Sequence, residues 1–506
     1  MTKLELPRGF KNPVRLLHRL HIEEESKWIA RGQRRALRLF HEMSDRVPAY
    51  GDFLKTKNFN PGTIRSIRDF SKIPLTDKDN YLRKYPKEML VWDGDFKGKK
   101  WVISSTSGST GEPFYFPREQ SQDWQYAVMA EMYLRHNFEI HKRSTLYIVA
   151  FPMGAWIGGV FTYQALKLLA ERGDYDISVI TPGIHKMEVI NAVKQLGHRF
   201  DQIIIGSYAP FLKDILEDGE REGVKWHDYN LGFVFSAEAF SENFRDFIVK
   251  AARLKNPLTS SLNHYGTVDM GTMAHETPLS IAVRRLAFKD DKLRKALFPE
   301  PLKQPTLAQY IPEMFYFEQI NDNLICSAYS GIPLVRYDLK DYGGLHTKSQ
   351  VEEALVANGY SSDKLLKAGK VAKKPWNLPF VYVYERNDFS VSYYAFLVYP
   401  DTIRRALHSP KLLKDLTGKF TAMVEYDDNG RQKLKVHLEM RHGRKSSESL
   451  VKKTQKMIHD SLYHDSSEYR ELFRIIGEVA KPEIILWPYE DPLYFRPGTK
   501  QKWVIK

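Results

Sequence analysis

Residues 104–113 read Ser-Ser-Thr-Ser-Gly-Ser-Thr-Gly-Glu-Pro, so hydroxyl side chains and glycines alternate directly after a short apolar run. Glycines let the backbone turn with its amide groups pointing inward, and such a nest binds anions. The hydroxyls add hydrogen-bond donors for phosphate oxygens. The residues expected to contact phosphate are Thr106, Ser107, Gly108, Ser109, Thr110 and Gly111. The spacing is not that of a Walker A loop, and a plain flexible loop is the alternative interpretation.

Two acidic residues farther along the chain lie in sequence contexts that suit binding of a nucleotide. Tyr265 can stack on a base, and Asp269, four residues later, can hold Mg²⁺ on nucleotide phosphates. Asp341 follows an apolar strand pattern, and a carboxylate at a strand end can accept both hydroxyls of a ribose. Taken singly, an ordinary turn and a paired salt bridge explain these residues better.

Two further motifs lie toward the C-terminus. Arg386-Asn387-Asp388 stands where the alternating strands and helices end and the small C-terminal domain is expected to begin. Lys500 belongs to the tail Arg-Pro-Gly-Thr-Lys-Gln-Lys, and a lysine on a glycine-containing loop can bring positive charge to a phosphoryl group. A solvated basic terminus is the alternative for this tail.

Regular elements must position these motifs, and their pattern changes along the chain. Short apolar strands and helices alternate from about residue 145 to 270, which is typical of a parallel βαβ sheet. The strands are predicted at residues 146–151, 177–181, 202–205 and 232–235, and the helices at 164–171, 186–196, 208–217 and 242–254. In the C-terminal part we expect strands at 391–398 and 483–487, a hairpin of 420–426 with 432–439, and a helix at 447–463. Near the N-terminus, Thr76 or Asp77 is expected to cap a helix.

Composition narrows the functional classes. The 506 residues suggest about two to four domains. A formal charge of +14 fits an anionic ligand, but solvated lysines explain it as well, and no nucleic-acid signature accompanies it. One cysteine excludes an intrachain disulfide and a Cys-x-x-Cys zinc site. Residues 144–166 carry no charge, yet proline and glycines interrupt them, which favours a buried strand, turn and helix over a membrane span.

In this order and spacing, the motifs resemble those of the adenylate-forming superfamily, and most closely its phenylacetate–CoA ligase and capsule-biosynthesis branch. Residues 106–113 are similar to the family's phosphate loop, residues 235–238 to its adenine-binding segment, and residues 265–276 to its Tyr-Gly-Thr-Ala-Asp motif. Residues 336–341 resemble its R-Y-x-x-x-D strand, and Arg386-Asn387-Asp388 its hinge motif. The resemblance covers nearly the whole chain.

The resemblance implies an α/β fold. A large adenylate-forming domain with parallel sheets would occupy residues 1–385, with a helical leading segment over about residues 1–95. A small, mobile α+β lid domain would follow at residues 386–506. The implied reaction is ATP- and Mg²⁺-dependent activation of a carboxylic acid as its acyl-adenylate, with pyrophosphate release and acyl transfer to CoA. A cytoplasmic enzyme without a membrane span is expected, its partner is a small-molecule acid, and a homodimer is one option for its assembly.

Roles follow from the resemblance, position by position. The residues implied to bind adenine and ribose are Ser236, Ala237, Glu238, Tyr265, Gly266, Asp341 and Arg386. Asp269 would hold Mg²⁺, with Glu276 as its rival, and Asp388 would be the hinge. Lys500 and Thr267 are the implied catalytic residues, and Lys502 rivals Lys500.

Some positions depart from the family pattern. Glu112 stands where a lysine is usual, and Val268 stands where a hydroxyl residue is common, so Thr267 would replace that donor. Transfer to an amine or a carrier therefore stays open as an alternative, as does a noncatalytic relative that serves as a binding protein. The charge of the chain also leaves open a binder of anionic surfaces, which predicts salt-sensitive association.

Overall fold

The structure is a computed structural model that describes residues 7, 9–105, 113–236, 240–299, 304–386, 391–394, 396–398, 400–407, 409–427, 430–495 and 504. The chain divides into two compact units. The first unit comprises residues 1–104, 116–209 and 213–387, and the second comprises residues 105–115, 210–212 and 388–506. The sequence had predicted a division between residues 385 and 386.

Amphipathic helices open the first unit, and their apolar faces are buried. They are α1 (Pro13–Ile22), α2 (Glu25–Arg46), α3 (Pro48–Thr56) and α4 (Lys87–Leu90). Asn12 caps α1 by accepting a hydrogen bond from the Arg15 amide, and Pro48 occupies the first turn of α3, where its missing N–H costs nothing. The strands β1 (Val102–Ser105) and β2 (Tyr115–Arg118) then form a two-stranded sheet, followed by the largely buried helix α5 (Gln120–Asn137).

Strands and helices alternate in the middle of the first unit, as the sequence predicted. The elements are β3 (Thr145–Ala150), α6 (Ile157–Gly173), β4 (Ile177–Ile180), α7 (Lys186–Leu196), β5 (Gln202–Ser207), α8 (Ala209–Arg221), β6 (Leu231–Phe235), α9 (Glu242–Ala251) and β7 (Ser261–Thr267). The strands pair in parallel in the order β4-β3-β5-β6-β7. The carboxyl ends of parallel strands, where α/β sheets bind ligands, therefore meet along one edge.

An antiparallel half continues the same sheet. Its elements are β8 (Gly271–His275), α10 (Pro278–Ala287), α11 (Asp291–Leu297), β9 (Thr306–Tyr310), β10 (Phe315–Ile320), β11 (Asn323–Ala328), β12 (Leu334–His346), α12 (Lys348–Ala357), α13 (Ser362–Ala368) and β13 (Phe380–Arg386). Among the described residues this sheet has 11 strands, in the order β10-β11-β12-β13-β9-β8-β7-β6-β5-β3-β4. Cys326 is buried on β11 opposite Phe317 and Tyr337, and burial raises the pKa of its thiol.

The second unit is a small α+β body. Its elements are β14 (Val391–Tyr393), β15 (Phe396–Val398), α14 (Pro400–Leu407), α15 (Pro410–Leu413), β16 (Leu416–Tyr426), β17 (Gln432–Met440), α16 (Glu448–Asp465), α17 (Ser467–Ile476) and β18 (Glu483–Trp487). β16 and β17 form the predicted antiparallel hairpin, and β18 adds to β17 in parallel. Alternate residues of this sheet, among them Phe420, Val436 and Ile484, belong to the unit's hydrophobic core.

Two predictions for the second unit were wrong in detail. The single strand predicted at 391–398 is a tight hairpin of β14 and β15, in which Tyr394 turns with φ 48°. Both strands of a hairpin can show the same alternation of buried residues. That alternation therefore does not reveal where the chain turns back. The helix α17 was missed; Ser466 caps it one residue after α16 ends.

The uncharged stretch at residues 144–166 forms β3 and the first part of α6, as predicted. Within the part of the chain that the structure describes, no helix combines the length and the apolar character needed to cross a bilayer.

Candidate functional site

The hairpin of β7 and β8 carries four of the predicted site residues, which are Tyr265, Gly266, Thr267 and Asp269. His264 lies opposite His275, and Gly266 lies opposite Thr272, with a bulge between residues 265 and 266. A Cβ atom at Gly266 would lie 2.6 Å from the Gly271 carbonyl oxygen, so only glycine fits there. The bulge and this glycine bring the two strands together just below the tip, which carries residues 267–270.

Tyr265 joins this hairpin to β12. Its hydroxyl donates to Asp341 Oδ2 at 2.6 Å, and its ring stacks on Phe317 with centroids 6.2 Å apart. Tyr265 and Asp341 are both buried. Asp341 lies inside β12, not at a strand end as the sequence had suggested, and its neighbour across the ladder is Arg386. The two residues predicted to contact ribose are therefore paired on adjacent strands.

Asp269, at the tip of the hairpin, also contacts β12. The Tyr337 hydroxyl donates to Asp269 Oδ2 at 2.8 Å, and Lys78 Nζ lies 3.9 Å from Asp269 Oδ1. Tyr265 and Asp269 are four residues apart, as are Tyr337 and Asp341. The hairpin and β12 thus meet at two points, and each contact joins a tyrosine hydroxyl to a carboxylate.

The segment at residues 73–78 brings Lys78 to this place. Thr76 pairs with β12 through the Arg336 carbonyl (3.1 Å) and the Asp338 amide (2.8 Å). The predicted cap is present, because the Asp77 side chain accepts hydrogen bonds from the amides of Asp79 and Asn80. Sequence patterns had identified the helix cap but not the contact of this segment with the hairpin tip, which depends on a long-range strand pairing.

Glu276, the rival metal ligand, is fully buried in an ionic cluster. Its oxygens accept hydrogen bonds from Arg245 at 2.7 and 2.8 Å and from the Asn263 amide at 2.8 Å. Arg284 lies 3.4 Å away, and both arginines also bind Glu242. Burial opposes ionisation of Glu242, but the guanidinium groups hold its pKa below the ordinary value. This arrangement favours a structural role for Glu276 and leaves Asp269 as the candidate for a metal.

Imidazoles pack at the base of the same hairpin. The rings of His264 and His275 lie 4.9 and 5.1 Å from the ring of Tyr133. Burial lowers the pKa of His275 to about 4, and burial together with His275 lowers the pKa of His264 well below its usual value. Both rings are therefore neutral at physiological pH.

A buried arginine that the sequence reasoning missed lies at the base of the Ser/Thr/Gly loop. Arg118 of β2 donates to Ser104 Oγ, contacts Asp123 at 3.4 Å, and lies 4.7 Å above the ring of Phe161. Burial lowers the pKa of Arg118, and its second terminal nitrogen has no hydrogen-bond partner among the described residues. An arginine on the strand that follows the loop was the available sequence signal.

Other predicted site residues are described in part or not at all. Ser236 is half-buried just beyond β6, whose last residue lies opposite Asn263 of β7. The Thr267 hydroxyl is buried and has no partner within the described part of the chain. The predicted residues outside the described ones are Thr106, Ser107, Gly108, Ser109, Thr110, Gly111, Ala237, Glu238, Asp388 and Lys500, and the side chain of Arg386 is likewise not described.

The chain matches no protein-family model, and no curated protein matches its sequence. Solved structures of 2-hydroxyisobutyryl-CoA ligase share its fold. The structure with 2-HIB-AMP and CoA in the thioesterification state has a TM-score of 0.64 at 14% identity, and the match covers 96% of this chain and 91% of that one. The structure in the postadenylation state with R3-HIB-AMP has a TM-score of 0.54 at 14% identity, and the match covers 97% of this chain and 91% of that one. An open conformation has a TM-score of 0.54 at 14% identity, and the match covers 97% of this chain and 94% of that one. The predicted α/β fold with a C-terminal α+β domain is thereby confirmed.

Proposed function

We propose that this chain is an ATP-dependent ligase that activates a carboxylic acid as its acyl-adenylate and transfers the acyl group to CoA. The observation that carries the proposal is the paired contact of Tyr265 with Asp341 and of Tyr337 with Asp269. If Tyr265 stacks on the base, Asp341 accepts the ribose and Asp269 holds the metal, this contact would bring the three roles together beside the carboxyl ends of parallel strands. A fold shared with a CoA ligase over 96% of the chain supports the same reaction.

The nucleotide would bind along the tip of the hairpin. The Tyr265 ring would stack on adenine, and Gly266 would leave room for the base, with residues 236–238 on its other side. Asp341 would accept the ribose hydroxyls, assisted by Arg386. Residues 106–111 would bind the β- and γ-phosphates, and the Thr267 hydroxyl, which has no hydrogen-bond partner among the described residues, would donate to a phosphate oxygen.

The residues near Asp269 fit Mg²⁺ held mainly by the nucleotide. Mg²⁺ usually keeps several waters and binds one or two carboxylates plus substrate phosphates, so it does not need a cage of protein ligands. Among the described residues no group of three or more His, Cys, Asp or Glu side chains could hold a metal, which agrees with this mode of binding. The ion would neutralise phosphate charge, and Lys78 would add a second cation at the same place.

The chemistry requires charge and geometry more than covalent help from the protein. The acid's carboxylate oxygen attacks the α-phosphorus of ATP, forming a mixed anhydride and releasing pyrophosphate. Lys500 would stabilise the charge that develops during this step. Rotation of the second unit about Asp388 would then admit the thiol of CoA, and motion of this kind commonly limits turnover.

Aromatic residues suggest where the acid's apolar part would lie. Phe151 and Tyr208 follow β3 and β5, and their rings are 5.6 Å apart. Both stand at the edge where the strands end, next to the proposed nucleotide site. The phenylacetate–CoA ligase branch, a cytoplasmic location and a homodimer remain predictions from the sequence, as does transfer to an amine or a carrier instead of CoA.

One observation favours a second candidate, a noncatalytic relative that serves as a binding protein. Lys78 already lies beside Asp269, and Glu112 removes a customary positive charge from the loop. A lysine that replaces the metal would leave nucleotide binding without turnover. Calorimetry with ATP in the presence and absence of Mg²⁺ distinguishes the two, because only the ligase gains affinity from the ion.

The decisive experiment is a pyrophosphate-release screen over aryl, fatty, amino and sugar acids, with and without CoA. We expect release with at least one acid class, and a loss of about 100-fold in Lys500→Ala. Lys502→Ala is the matched control and should retain activity. Absence of ATP–pyrophosphate exchange with every acid would refute the proposal, and full exchange in Lys500→Ala would assign the lysine's role elsewhere.

A further inference from the structure

A small cavity lies in the first unit, away from the hairpin tip, where four segments meet. These segments are the end of α5, the first turn of α10, the helix α13 and the stretch that precedes β13. The residues that line the cavity include His136, Thr277, Leu279, Leu366, Lys373 and Trp376. The cavity has room for about one water-sized occupant, and its described lining contains no aspartate or glutamate.

Two buried side chains that line the cavity have a nitrogen without a hydrogen-bond partner. His136 is 5% exposed and Trp376 is 1% exposed, and neither His136 Nδ1 nor Trp376 Nε1 has a partner among the described residues. Burial lowers the pKa of His136 well below its usual value, so the ring is neutral at physiological pH and carries one N–H. The indole N–H can only donate. Because a buried donor without a partner is costly, an occupant that offers lone pairs would stabilise this place.

Positive charge is in excess beside the cavity. Lys373 Nζ donates to the His136 carbonyl and lies 3.8 Å from Glu139 Oε1. Glu139 also pairs with Lys142 at 2.9 Å and with Arg143 at 3.0 Å. Three cations therefore share one carboxylate, and the remaining positive charge favours an anion nearby.

The N-terminus of α10 adds to this charge. Thr277 caps the helix by accepting a hydrogen bond from the Ser280 amide, and both Thr277 and Leu279 line the cavity. Leu279 stands in the first turn, where backbone amides have no carbonyl partner within the helix. The helix dipole also makes this end positive, and helix N-termini bind anions for both reasons.

We propose that this cavity is a binding site for a small monatomic anion of the halide class, such as chloride. The ammonium group of Lys373, the Trp376 indole, the His136 ring and the first turn of α10 all supply hydrogen-bond donors or positive charge. A water molecule would satisfy the two nitrogens but not the excess charge. A cation would be repelled by Lys373, and a larger anion such as sulfate would not fit.

The inference is independent of the proposed function, because it concerns the base of the β7–β8 hairpin and not its tip. The Trp376 ring lies 5.3 Å from the ring of His275, and α10 carries Arg284 of the ionic cluster around Glu276. A bound anion would therefore hold the first turn of α10 and the stretch before β13 together beside this cluster.

The test compares thermal unfolding of the full chain in sodium chloride and in sodium gluconate at the same ionic strength. Gluconate is too large for the cavity, and equal ionic strength keeps the general screening of charge the same. We expect chloride to raise the Tm saturably, by about 2 °C, because a ligand that binds only the folded state stabilises it. Bromide should act as chloride does.

Two variants remove donors from the cavity. Trp376→Phe keeps a ring without the N–H, and Lys373→Met keeps a long side chain without the charge, so both should lose the chloride-specific rise in Tm. Lys367→Met is the matched control and should retain it, because Lys367 is exposed on α13, the helix whose Leu366 lines the cavity. An equal rise in all variants, or no rise in the wild type, would overturn the proposal.

Anomalous diffraction identifies the occupant directly, even where a variant is too unstable for comparison. Wild-type crystals in sodium bromide, at the concentration that half-saturates the rise in Tm, should show an anomalous peak beside Trp376 Nε1. Density without an anomalous signal would identify a water molecule and overturn the proposal.

Discussion

The hairpin of β7 and β8 has two ends that differ in chemistry. At its base, Glu276 is fully buried against two arginines, and His264 and His275 pack as neutral rings around Tyr133. At its tip, Asp269 is half-buried and accepts a hydrogen bond from one tyrosine. Two acidic residues of one short motif therefore occupy opposite environments.

The difference shows how a fold separates stability from binding. A carboxylate whose oxygens are occupied by guanidinium and amide donors has no lone pair left for a ligand, and removing it leaves two buried arginines with one carboxylate, Glu242, between them. The Asp269 side chain is 12% exposed at the tip, where the proposed metal or nucleotide could reach it. Substitutions at the base should therefore change the free energy of unfolding, and substitutions at the tip should change activity.

The largest effect is expected at the base. Glu276→Ala would leave Arg245 and Arg284 sharing only Glu242, and we expect a loss of about 3–5 kcal/mol in the free energy of unfolding. Urea denaturation followed by circular dichroism measures it. Asp269→Ala serves as the control and should lose less than about 1 kcal/mol. Equal losses of unfolding free energy in the two variants would show that the base and the tip of the hairpin contribute alike to stability.

Acid should destabilise the base next most strongly. The folded-state pKa of His275 is about 4, below its ordinary value of 6.5, so between these pH values the unfolded chain binds a proton that the folded chain does not. Stability should fall as pH decreases from about 6.5 and level off below 4, by about 3 kcal/mol from this residue. Urea midpoints measured at pH 7, 5.5 and 4 test the slope.

Matched histidine variants assign that slope. His275→Phe keeps a ring at the base and should flatten the pH dependence, whereas His464→Gln removes a histidine whose side chain is 90% exposed and should not. Identical slopes in the two variants would show that His275 is not responsible for the pH dependence.

The sequence predicted the alternating strands well because each buried strand is a continuous apolar run between turns. The resemblance to a family grouped Tyr265, Asp269 and Asp341 in one expected site, and the structure places the Tyr265 hydroxyl against Asp341. Three features escaped it, because each depends on contacts between distant segments. Lys78 reaches Asp269 only through pairing of Thr76 with β12. Glu276 is bound by Arg245 and Arg284, which lie on separate helices. Arg118 packs over the ring of Phe161 on α6.

At the tip, the expected effect is on catalysis. Asp269→Asn keeps the size of the side chain but removes its charge, and we expect a loss of about 2 kcal/mol in transition-state stabilisation, or about 30-fold in kcat/KM. The concentration of Mg²⁺ required for half-maximal pyrophosphate exchange should rise as well. A variant with an unchanged Mg²⁺ requirement would exclude Asp269 as the metal ligand.

Tyr265→Phe should have the smallest effect, because the residue stands between the two ends. The ring that would stack on adenine remains, and only the hydrogen bond to Asp341 is lost. We therefore expect a loss of about 1 kcal/mol, which raises the KM for ATP about fivefold. Steady-state kinetics with varied ATP measure it, and Tyr337→Phe is the matched control at the other contact. A larger effect on the free energy of unfolding than on the KM would show that Tyr265 stabilises the fold, as the residues at the base of the hairpin do.

Cys326 gives the chain a practical property. It is the protein's single cysteine, it is buried on β11, and its thiol has a raised pKa, so alkylating reagents that need an accessible thiolate should not react with the folded protein. A cysteine introduced at exposed Leu493 would then be the one reactive thiol. A fluorophore or spin label attached there would report on the tail without removal of the native residue.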